Sequence, residues 1–322
     1  MKPLVLVTSR IPSSVLSRLD AIAAVDVAKD GLTREALLDR VRDKAALVSV
    51  VTDCVDADVI AAGQSLRVIA NIAVGYDNID LGAAADRGIS VTNTPGVLTD
   101  AVAELTWGLI LCVTRRISEG ERLVRQHAWK GWTLDFMMGM ELGGKQLGIV
   151  GAGRIGRAVA ARAPAFGMRV VFAAHRASGG SQDAGGDAAV VPLDQLLVSS
   201  DVVSLHLPLR PNTRHLIDRR TLARMKRSAY LINTARGPII DETALDWALE
   251  ERLIAGAALD VHEHEPTVHP GLMRWPNVVL APHLGSASRE TRTAMADLAA
   301  RNVEAVLGGK APLTPVAAGD TV

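Results

Sequence analysis

Three short segments in the second half of the chain contain residue types that serve acid–base chemistry and carboxylate binding. They are Asn233-Thr-Ala-Arg-Gly237, Leu259-Asp-Val-His-Glu-His-Glu-Pro266 and Ala281-Pro-His-Leu-Gly285. Each follows an apolar run that predicts a strand, and open α/β sheets bind ligands at the carboxyl ends of their strands. A guanidinium suits a carboxylate, and an imidazole exchanges protons near neutral pH. We therefore expect Arg236, Glu265 and His283 to converge on a bound ligand.

A glycine-rich turn, Gly151-Ala-Gly-Arg-Ile-Gly156, has the spacing that binds a dinucleotide pyrophosphate. The pattern is weak alone, but here it lies in a complete strand–helix–strand context. The predicted elements are Gln146–Val150, Arg154–Phe166 and Val170–Ala173. Gly151 is expected to make the tight turn, Gly153 to admit the pyrophosphate, and Gly156 to let the helix pack on the strand.

The segment after the second strand of this unit bears on the choice between NAD and NADP. An NAD site usually has Asp or Glu there, whereas this chain has Phe172-Ala-Ala-His-Arg-Ala177. Residues 142–182 contain no Asp or Glu, but do contain Lys145 and five arginines. Arg176 can bind a 2′-phosphate through a charge-assisted fork, and His175 can add a second donor. The sequence predicts NADPH as the preferred cofactor, with NAD as the alternative.

Strand-like and helix-like segments alternate along the chain, which predicts an α/β fold with parallel sheets. The first strand series is Leu4–Val7, Ala46–Val51, Val68–Ile72 and Ser90–Asn93, and the second adds Val202–Leu205, Ala229–Asn233, Gly256–Val261 and Val278–Ala281 to the two strands above. Long helical segments at Thr99–Ile117 and Ser288–Leu307 would join the two series. We expect a discontinuous substrate domain, residues 1–98 and 285–322, around a dinucleotide domain, residues 99–284. The tail from Gly308 is expected to be a loose extension.

Composition excludes several classes of protein. The chain has 322 residues, 48% hydrophobic and 22% charged, which is typical of a globular protein. Basic and acidic residues number 35 each, so the chain lacks the basic excess of a nucleic-acid-binding protein. The N-terminal segment has only four apolar residues in a row, too few for the core of a signal peptide, and no run of eighteen apolar residues follows. We expect a cytoplasmic protein that binds neither nucleic acid nor membrane.

His262 and His264 are spaced so that they could share a zinc ion. No third ligand has an obvious spacing to them, and two cysteines in the whole chain do not make a clustered site. We therefore predict no metal site.

The sequence resembles the D-isomer-specific 2-hydroxyacid dehydrogenase family over nearly its whole length. The motifs that carry the resemblance are Asn71-Ile-Ala-Val-Gly-Tyr-Asp-Asn-Ile-Asp80, Asn93-Thr-Pro-Gly-Val-Leu-Thr-Asp-Ala-Val-Ala-Glu104, the glycine-rich turn and the three segments described first. Within the family, Gly131-Trp-Thr-Leu-Asp-Phe136 and the NADP-like strand end favour the glyoxylate/hydroxypyruvate reductases. The resemblance implies two Rossmann-like domains, one flavodoxin-like and one dinucleotide-binding, with the cleft between them.

The resemblance also implies residue roles. His283 would be the general acid in keto acid reduction, and Glu265 would hydrogen-bond its other ring nitrogen. Arg236 would bind the substrate carboxylate and polarise the carbonyl, opposite backbone N–H groups at Val74 and Gly75. Further cofactor contacts are implied at Arg154, Ile155, Thr234, Ala235, Asp260 and Gly285. Members of this kind form homodimers, with the region of Trp129, Trp132, Phe136 and Met137 at the partner.

The first functional hypothesis is therefore an NADPH-dependent reductase of glyoxylate and hydroxypyruvate. The first alternative is a reductase of a bulkier keto acid such as 2-ketogluconate. Phosphoglycerate, phosphite and formate dehydrogenases share the fold, and a dinucleotide-sensing corepressor is an alternative from another class. Arg236, Glu265 and His283 favour an enzyme over a sensor.

Overall fold

The structure is a computed structural model that describes residues 2–173 and 188–316. The chain divides into two compact units, Met1–Leu98 with Ala287–Val322, and Thr99–Ser286. Cys54 and Cys112 are both free thiols. None of the described helices has both the length and the hydropathy needed to cross a bilayer.

The first unit is built on a six-stranded sheet within its described residues. Its strands are β1 (Leu4–Val7), β2 (Ala24–Val27), β3 (Ala46–Val50), β4 (Val68–Ile72), β5 (Ser90–Thr92) and β13 (Pro315–Val316), in the order β13-β5-β4-β3-β1-β2. Its helices are α1 (Ser13–Ile22), α2 (Arg34–Arg40), α3 (Ala57–Ala62), α4 (Leu81–Asp86) and α11 (Arg289–Leu307). The strands pair in parallel except β13. Because successive strand residues face opposite sides, Val5 packs with α1 and α11 while Leu6 packs with α2, α3 and α4.

The second unit contains a seven-stranded parallel sheet among its described residues. Its strands are β6 (Gln146–Val150), β7 (Arg169–Ala173), β8 (Ala189–Val190), β9 (Val202–Leu205), β10 (Tyr230–Asn233), β11 (Gly256–Leu259) and β12 (Val278–Leu280), in the order β12-β11-β10-β9-β6-β7-β8. Its helices are α5 (Thr99–Thr114), α6 (Ile117–Arg125), α7 (Arg154–Arg162), α8 (Leu193–Ser199), α9 (Arg219–Leu222) and α10 (Glu242–Glu250). One core contains residues of α5 and α7, and a second core on the other face contains residues of α8 and α10. Both faces of the sheet are thus covered, which confirms the predicted fold class.

Helix α5 ends three residues before the predicted Ile117. Arg116 adopts a left-handed conformation with φ 55°, and α6 begins directly after it. The Thr114 carbonyl, which is left without an intrahelical partner at the helix end, accepts a hydrogen bond from the Met140 amide at 2.8 Å. The following segment therefore satisfies the end of α5.

The prediction of a loose tail is wrong for its described part. Pro315–Val316 pairs antiparallel with β5. The buried Asn302 side chain of α11 accepts hydrogen bonds from the amides of Leu313 at 2.8 Å and Thr314 at 3.1 Å. The tail is therefore fixed both by pairing with β5 and by the Asn302 side chain, which composition could not indicate.

Candidate active site

The three segments singled out in the sequence follow β10, β11 and β12, which are neighbours in one parallel sheet. Their carboxyl ends consequently share one edge of that sheet. Glu265 and His283, which follow β11 and β12, are in direct contact. Arg236 lies on the loop that follows β10. The sheet topology thus gathers all three predicted residues at a single edge.

Glu265 orients His283 through one ring nitrogen. The Glu265 Oε2 atom lies 2.8 Å from His283 Nδ1, and Glu265 Oε1 accepts a hydrogen bond from the His262 amide at 3.0 Å. With Nδ1–H donating to Glu265, Nε2 is the ring nitrogen that does not contact Glu265. Burial by itself would raise the pKa of Glu265. The hydrogen bonds from His283 and His262 and the nearby imidazole charges outweigh burial and lower that pKa, so the carboxylate stays ionised.

Asp260 holds the turn that carries His283. Its buried carboxylate accepts hydrogen bonds from the amides of Leu284 at 2.6 Å and Gly285 at 2.8 Å. Its backbone carbonyl accepts a third from the His283 amide at 2.8 Å. His283 has a φ of 56°, a left-handed conformation that costs a non-glycine residue about 1 kcal/mol. These three bonds stabilise that conformation, so Asp260 fixes the backbone from which the imidazole projects.

The Arg236 loop is closed by the buried side chain of Asn233. The Asn233 amide donates to the Arg236 carbonyl at 2.9 Å and accepts from the Ala235 amide at 3.0 Å. A Cβ atom on Gly237 would lie 1.9 Å from the His262 carbonyl carbon, so only glycine fits there. The loop thereby packs against the same backbone that supports Glu265.

The side chain of Thr234 contacts helix α5. Its hydroxyl lies 2.9 Å from that of Thr106, and both side chains are buried. Because the Thr106 hydroxyl donates to the Val102 carbonyl at 2.8 Å, Thr234 donates to Thr106. This pair fixes the Thr234 side chain beside the loop that bears Arg236.

The glycine-rich turn has the shape of a pyrophosphate cradle. Gly151 has φ 108°, and a Cβ on it would lie 2.4 Å from the His206 carbonyl oxygen. A Cβ on Gly156 would lie 2.1 Å from the Gly151 carbonyl oxygen, so glycine is required at both positions. Gly153 is the N-cap of α7 and has no side chain to cap the helix, and no described atom lies within 4 Å of a Cβ built on it. The uncapped N–H groups and the helix dipole therefore fit a dinucleotide pyrophosphate.

Some of the other predicted cofactor residues lie within the described residues, and others do not. Arg154 is exposed and Ile155 is half-buried at the start of α7, beside the cradle. His175 and Arg176 lie outside the described residues, so the structure does not place the predicted 2′-phosphate contacts. Among residues that the sequence did not single out, His206 follows β9 beside the cradle. Burial lowers the pKa of His206 to about 3, and its Nε2 atom lies 2.8 Å from the Ser204 hydroxyl.

In the other unit, asparagine side chains fix the loop that contains Val74 and Gly75. Asn93 donates to the Val74 carbonyl at 2.8 Å, and Asn71 donates to the Gly75 carbonyl at 2.9 Å. In a trans peptide the N–H group points opposite to the carbonyl of the same peptide plane. The Asn93 contact therefore directs the Gly75 N–H away from Asn93. Asn71 and Asn93 belong to the motifs quoted above, but neither their type nor their spacing indicates these contacts.

The two histidines weighed as zinc ligands lie in different environments. His262 is buried, with Nε2 3.0 Å from the Ala281 carbonyl oxygen and Nδ1 3.7 Å from Glu242 Oε1, whereas His264 is exposed. The buried Glu242 carboxylate also accepts a hydrogen bond from the Glu263 amide at 3.1 Å. Burial opposes both charges, but their mutual attraction outweighs it, so the pKa of His262 is raised and that of Glu242 is lowered.

The Glu242–His262 pair predicts a pH-dependent contribution to stability. Glu242→Gln is expected to lower the melting temperature more at about pH 6 than at about pH 9. At the lower pH, His262 is charged in the folded protein, and the variant leaves that buried charge without its carboxylate. The contribution is lost as pH rises through the raised pKa of His262, because the imidazole becomes neutral.

Thermal unfolding followed by circular dichroism measures this effect. Glu251→Gln, an exposed change at the end of the same helix, is the control and should have little effect at either pH. Equal losses of melting temperature in Glu242→Gln at both pH values would contradict a change in the charge of His262 between them.

The doubly covered parallel sheet, the pyrophosphate cradle and the glutamate–histidine pair at the same sheet edge define an NAD(P)-dependent oxidoreductase. Comparison with known proteins identifies the family. Residues 107–285 match the family described as "D-isomer specific 2-hydroxyacid dehydrogenase, NAD binding domain". The chain belongs to the D-isomer specific 2-hydroxyacid dehydrogenases, which confirms the resemblance seen in its sequence.

Individual relatives match this chain over nearly its full length. The chain is 49% identical to a glyoxylate reductase of Thermofilum pendens, covering 97% of this chain and 93% of the relative. It is 47% identical to a glyoxylate reductase of Korarchaeum cryptofilum, covering 97% and 95%. A crystal structure of an NADPH-dependent glyoxylate/hydroxypyruvate reductase from Sinorhizobium meliloti, in complex with NADP and malonate, is similar with a TM-score of 0.87 at 34% identity, covering 98% of this chain and 97% of that chain.

Proposed function

We propose that the protein reduces small 2-keto acids, glyoxylate and hydroxypyruvate, to 2-hydroxy acids with NADPH. The observation that carries the proposal is the 2.8 Å contact between Glu265 and His283, which leaves one imidazole nitrogen to serve a substrate. The glyoxylate reductases among the relatives support this substrate class. The unit formed by Met1–Leu98 and Ala287–Val322 is proposed as the substrate domain, and Thr99–Ser286 as the dinucleotide domain.

His283 is proposed as the general acid of reduction. The reduced nicotinamide, when bound, supplies the hydride that adds to the carbonyl carbon of the keto acid. His283 Nε2–H gives its proton to the carbonyl oxygen, so a hydroxyl group forms and the imidazole becomes neutral. Glu265 stabilises the charged imidazole before the transfer and keeps the ring in one orientation throughout. In the oxidative direction the same nitrogen accepts the proton.

Arg236 is proposed to bind the substrate carboxylate and to polarise its carbonyl. The guanidinium remains charged at every working pH, and its planar donors match a carboxylate. The loop around it is held by Asn233, so the charge is placed before the substrate arrives. Backbone N–H groups of Val74 and Gly75 are proposed as further donors to the carboxylate.

The cofactor is proposed to be held along the edge that contains the cradle. Gly151, Gly153 and Gly156, with Arg154 and Ile155, would bind the pyrophosphate. Thr234, Ala235, Asp260 and Gly285 would lie along the nicotinamide end. His175 and Arg176 would bind the 2′-phosphate of NADPH, and the relative crystallised with NADP supports that preference.

Arg176→Ala is expected to weaken NADPH binding by about tenfold or more, because a charge-assisted hydrogen bond is worth about 1.5–3 kcal/mol. NADH binding should change little. Fluorescence titration with both dinucleotides measures the two dissociation constants. Arg169→Ala, at the opposite end of β7, is the matched control. Equal weakening of both cofactors would exclude Arg176 as the 2′-phosphate ligand.

A panel of keto acids tests the substrate class. Initial rates with glyoxylate, hydroxypyruvate, pyruvate and 2-ketogluconate, each with NADPH and with NADH, should show the highest kcat/KM for the two small substrates with NADPH. A preference for 2-ketogluconate would instead support a reductase of bulkier keto acids.

The protein is proposed to be a homodimer. Trp132, Leu134 and Met138 are 76%, 85% and 70% exposed, and Trp129 and Phe136 are also exposed, so one short segment presents five apolar side chains at the surface. Surfaces of this kind usually serve an interface. Sedimentation equilibrium is expected to give about twice the 34.0 kDa mass of the chain. A single-chain mass at micromolar concentration would contradict the proposal.

A further inference from the structure

His262 is a buried polar residue to which the proposed chemistry assigns no step. Its side chain is 5% exposed and lies between the end of β11, the end of β12 and the start of α10. A buried imidazole needs a structural or functional reason, because burial of a polar group is costly unless its hydrogen bonds are satisfied. In His262 the Nε2 atom is satisfied by the Ala281 carbonyl, whereas the buried Nδ1 has no hydrogen bond and lies near the Glu242 carboxylate.

The backbone and the side chain of His262 contact the two segments that carry the proposed acid and its orienting carboxylate. The His262 amide donates to Glu265 Oε1 at 3.0 Å. The imidazole Nε2 lies 3.0 Å from the carbonyl oxygen of Ala281, two residues before His283. Because a carbonyl only accepts, Nε2 must carry the proton in this contact.

The other side of the imidazole faces negative charge. Glu242 Oε1 lies 3.7 Å from Nδ1, and Glu242 is itself buried at the start of α10. The Glu263 amide holds that same oxygen at 3.1 Å. Glu242 therefore has a fixed position. Because Nε2 already carries a proton, the Glu242 carboxylate favours the charged imidazole, in which Nδ1 is protonated as well. The His262 ring thus lies between the Ala281 carbonyl, to which it is hydrogen-bonded, and the charge of Glu242.

We propose that His262 is a positioning residue that holds the ends of β11 and β12 in the register required for the Glu265–His283 contact. This inference rests on the proposed function in taking His283 as the proton donor. His262 does not touch the reacting atoms. Its imidazole fixes the segment that leads to His283, while its amide fixes Glu265, so that the two side chains meet at 2.8 Å before a substrate binds.

Two substitutions at His262 separate this role from simple packing. Gln carries its amide nitrogen one bond farther out than Asn, close to the position of His Nε2, so His262→Gln can keep the bond to Ala281. His262→Asn places its donor near the position of Nδ1 and loses that bond. Both variants remove the ring and its charge, and they differ in reach.

The expected result is a divergence between the two variants. His262→Asn should lower kcat for glyoxylate roughly 10- to 100-fold with little change in KM, because a small misplacement of a catalytic group has effects of that order. His262→Gln should stay within about threefold of the wild type in kcat. Dissociation constants for NADPH should be unchanged in both variants.

A proton NMR resonance can report on the Glu265–His283 contact in the absence of substrate. The proton between His283 Nδ1 and Glu265 should give a low-field proton resonance, identified by its absence from His283→Ala. His262→Asn should lose or shift this resonance, and His262→Gln should retain it. Since this measurement needs no turnover, failure of the proposed substrate class would appear separately, as a wild-type protein that shows the resonance but reduces none of the keto acids.

Two results would overturn the inference. One is a folded His262→Asn variant with wild-type kcat and an unchanged resonance. The other is an equal loss of kcat in the Asn and Gln variants, which would assign the effect to the ring and not to the Ala281 bond. If His262→Asn does not fold, His262→Phe replaces it, since it keeps a ring of similar size but has no donor. Wild-type kcat in that variant would equally overturn the inference.

Discussion

His283→Ala is expected to lower kcat for keto acid reduction by about 10²–10⁴-fold, the usual contribution of a general acid. The variant removes the imidazole that would protonate the carbonyl oxygen. It leaves the glycine cradle on α7 unchanged, so the dissociation constant for NADPH should stay close to the wild-type value. Steady-state rates with glyoxylate and a fluorescence titration with NADPH measure the two quantities.

His264→Ala is the matched control for this substitution. His264 lies one residue before Glu265, but it is exposed, whereas His283 contacts the Glu265 carboxylate. The control should therefore retain its kcat. A His283→Ala variant with kcat near that of the control would exclude His283 as the proton donor.

Arg236→Ala is expected to lower kcat/KM by about 10²–10³-fold, comparable to the loss of a charge-stabilising donor at an active site. Both the carboxylate contact and the polarisation of the carbonyl depend on the guanidinium in the proposed mechanism. Arg236→Lys should recover part of the loss, because it restores the charge but not the planar pair of donors. Steady-state kinetics with glyoxylate at saturating NADPH measure both variants.

Arg227→Ala provides the control for Arg236. Arg227 is exposed in the turn before β10, at the opposite end of the strand that leads to Arg236. It should leave kcat/KM and NADPH binding unchanged. Turnover that survives Arg236→Ala would contradict the proposed substrate anchor, whereas a parallel loss of NADPH binding would indicate that the loop itself had collapsed.

Buried parallel strands were predictable because both of their faces must be apolar. Strands β1, β4, β6 and β9 begin and end at the predicted residues. Strand β2 was missed, because this edge strand is partly exposed and Asp26 interrupts its apolar pattern. Strands β8 and β13 contain two residues each, too few for any periodicity.

The candidate site was predictable in part for a related physical reason. Adjacent parallel strands bring the loops at their carboxyl ends together, so the approach of Glu265 to His283 followed from strand order and family resemblance. The supporting contacts were not predictable. That Asp260 bonds the amides of Leu284 and Gly285, and that His262 lies between Glu242 and Ala281, depends on backbone directions that spacing does not encode.

Because spacing does not encode side-chain contacts, the sequence could suggest only a zinc-ligand role for His262. Its spacing from His264 gave a metal-binding pattern to consider, yet the two side chains differ in burial. The sequence signal that could have indicated a structural role for His262 is its position shortly after a buried strand. Only the fold shows that the Ala281 carbonyl accepts from one ring nitrogen of His262 and that the Glu242 carboxylate lies 3.7 Å from the other.

The most direct test of the proposed function is an assay with glyoxylate and NADPH that measures both the NADPH oxidised and the glycolate formed. The purified protein should oxidise one NADPH for each glycolate formed, and Arg236→Ala and His283→Ala should abolish most of that turnover while still binding NADPH. Binding of NADPH with no oxidation in the presence of glyoxylate or hydroxypyruvate would contradict the proposed reaction.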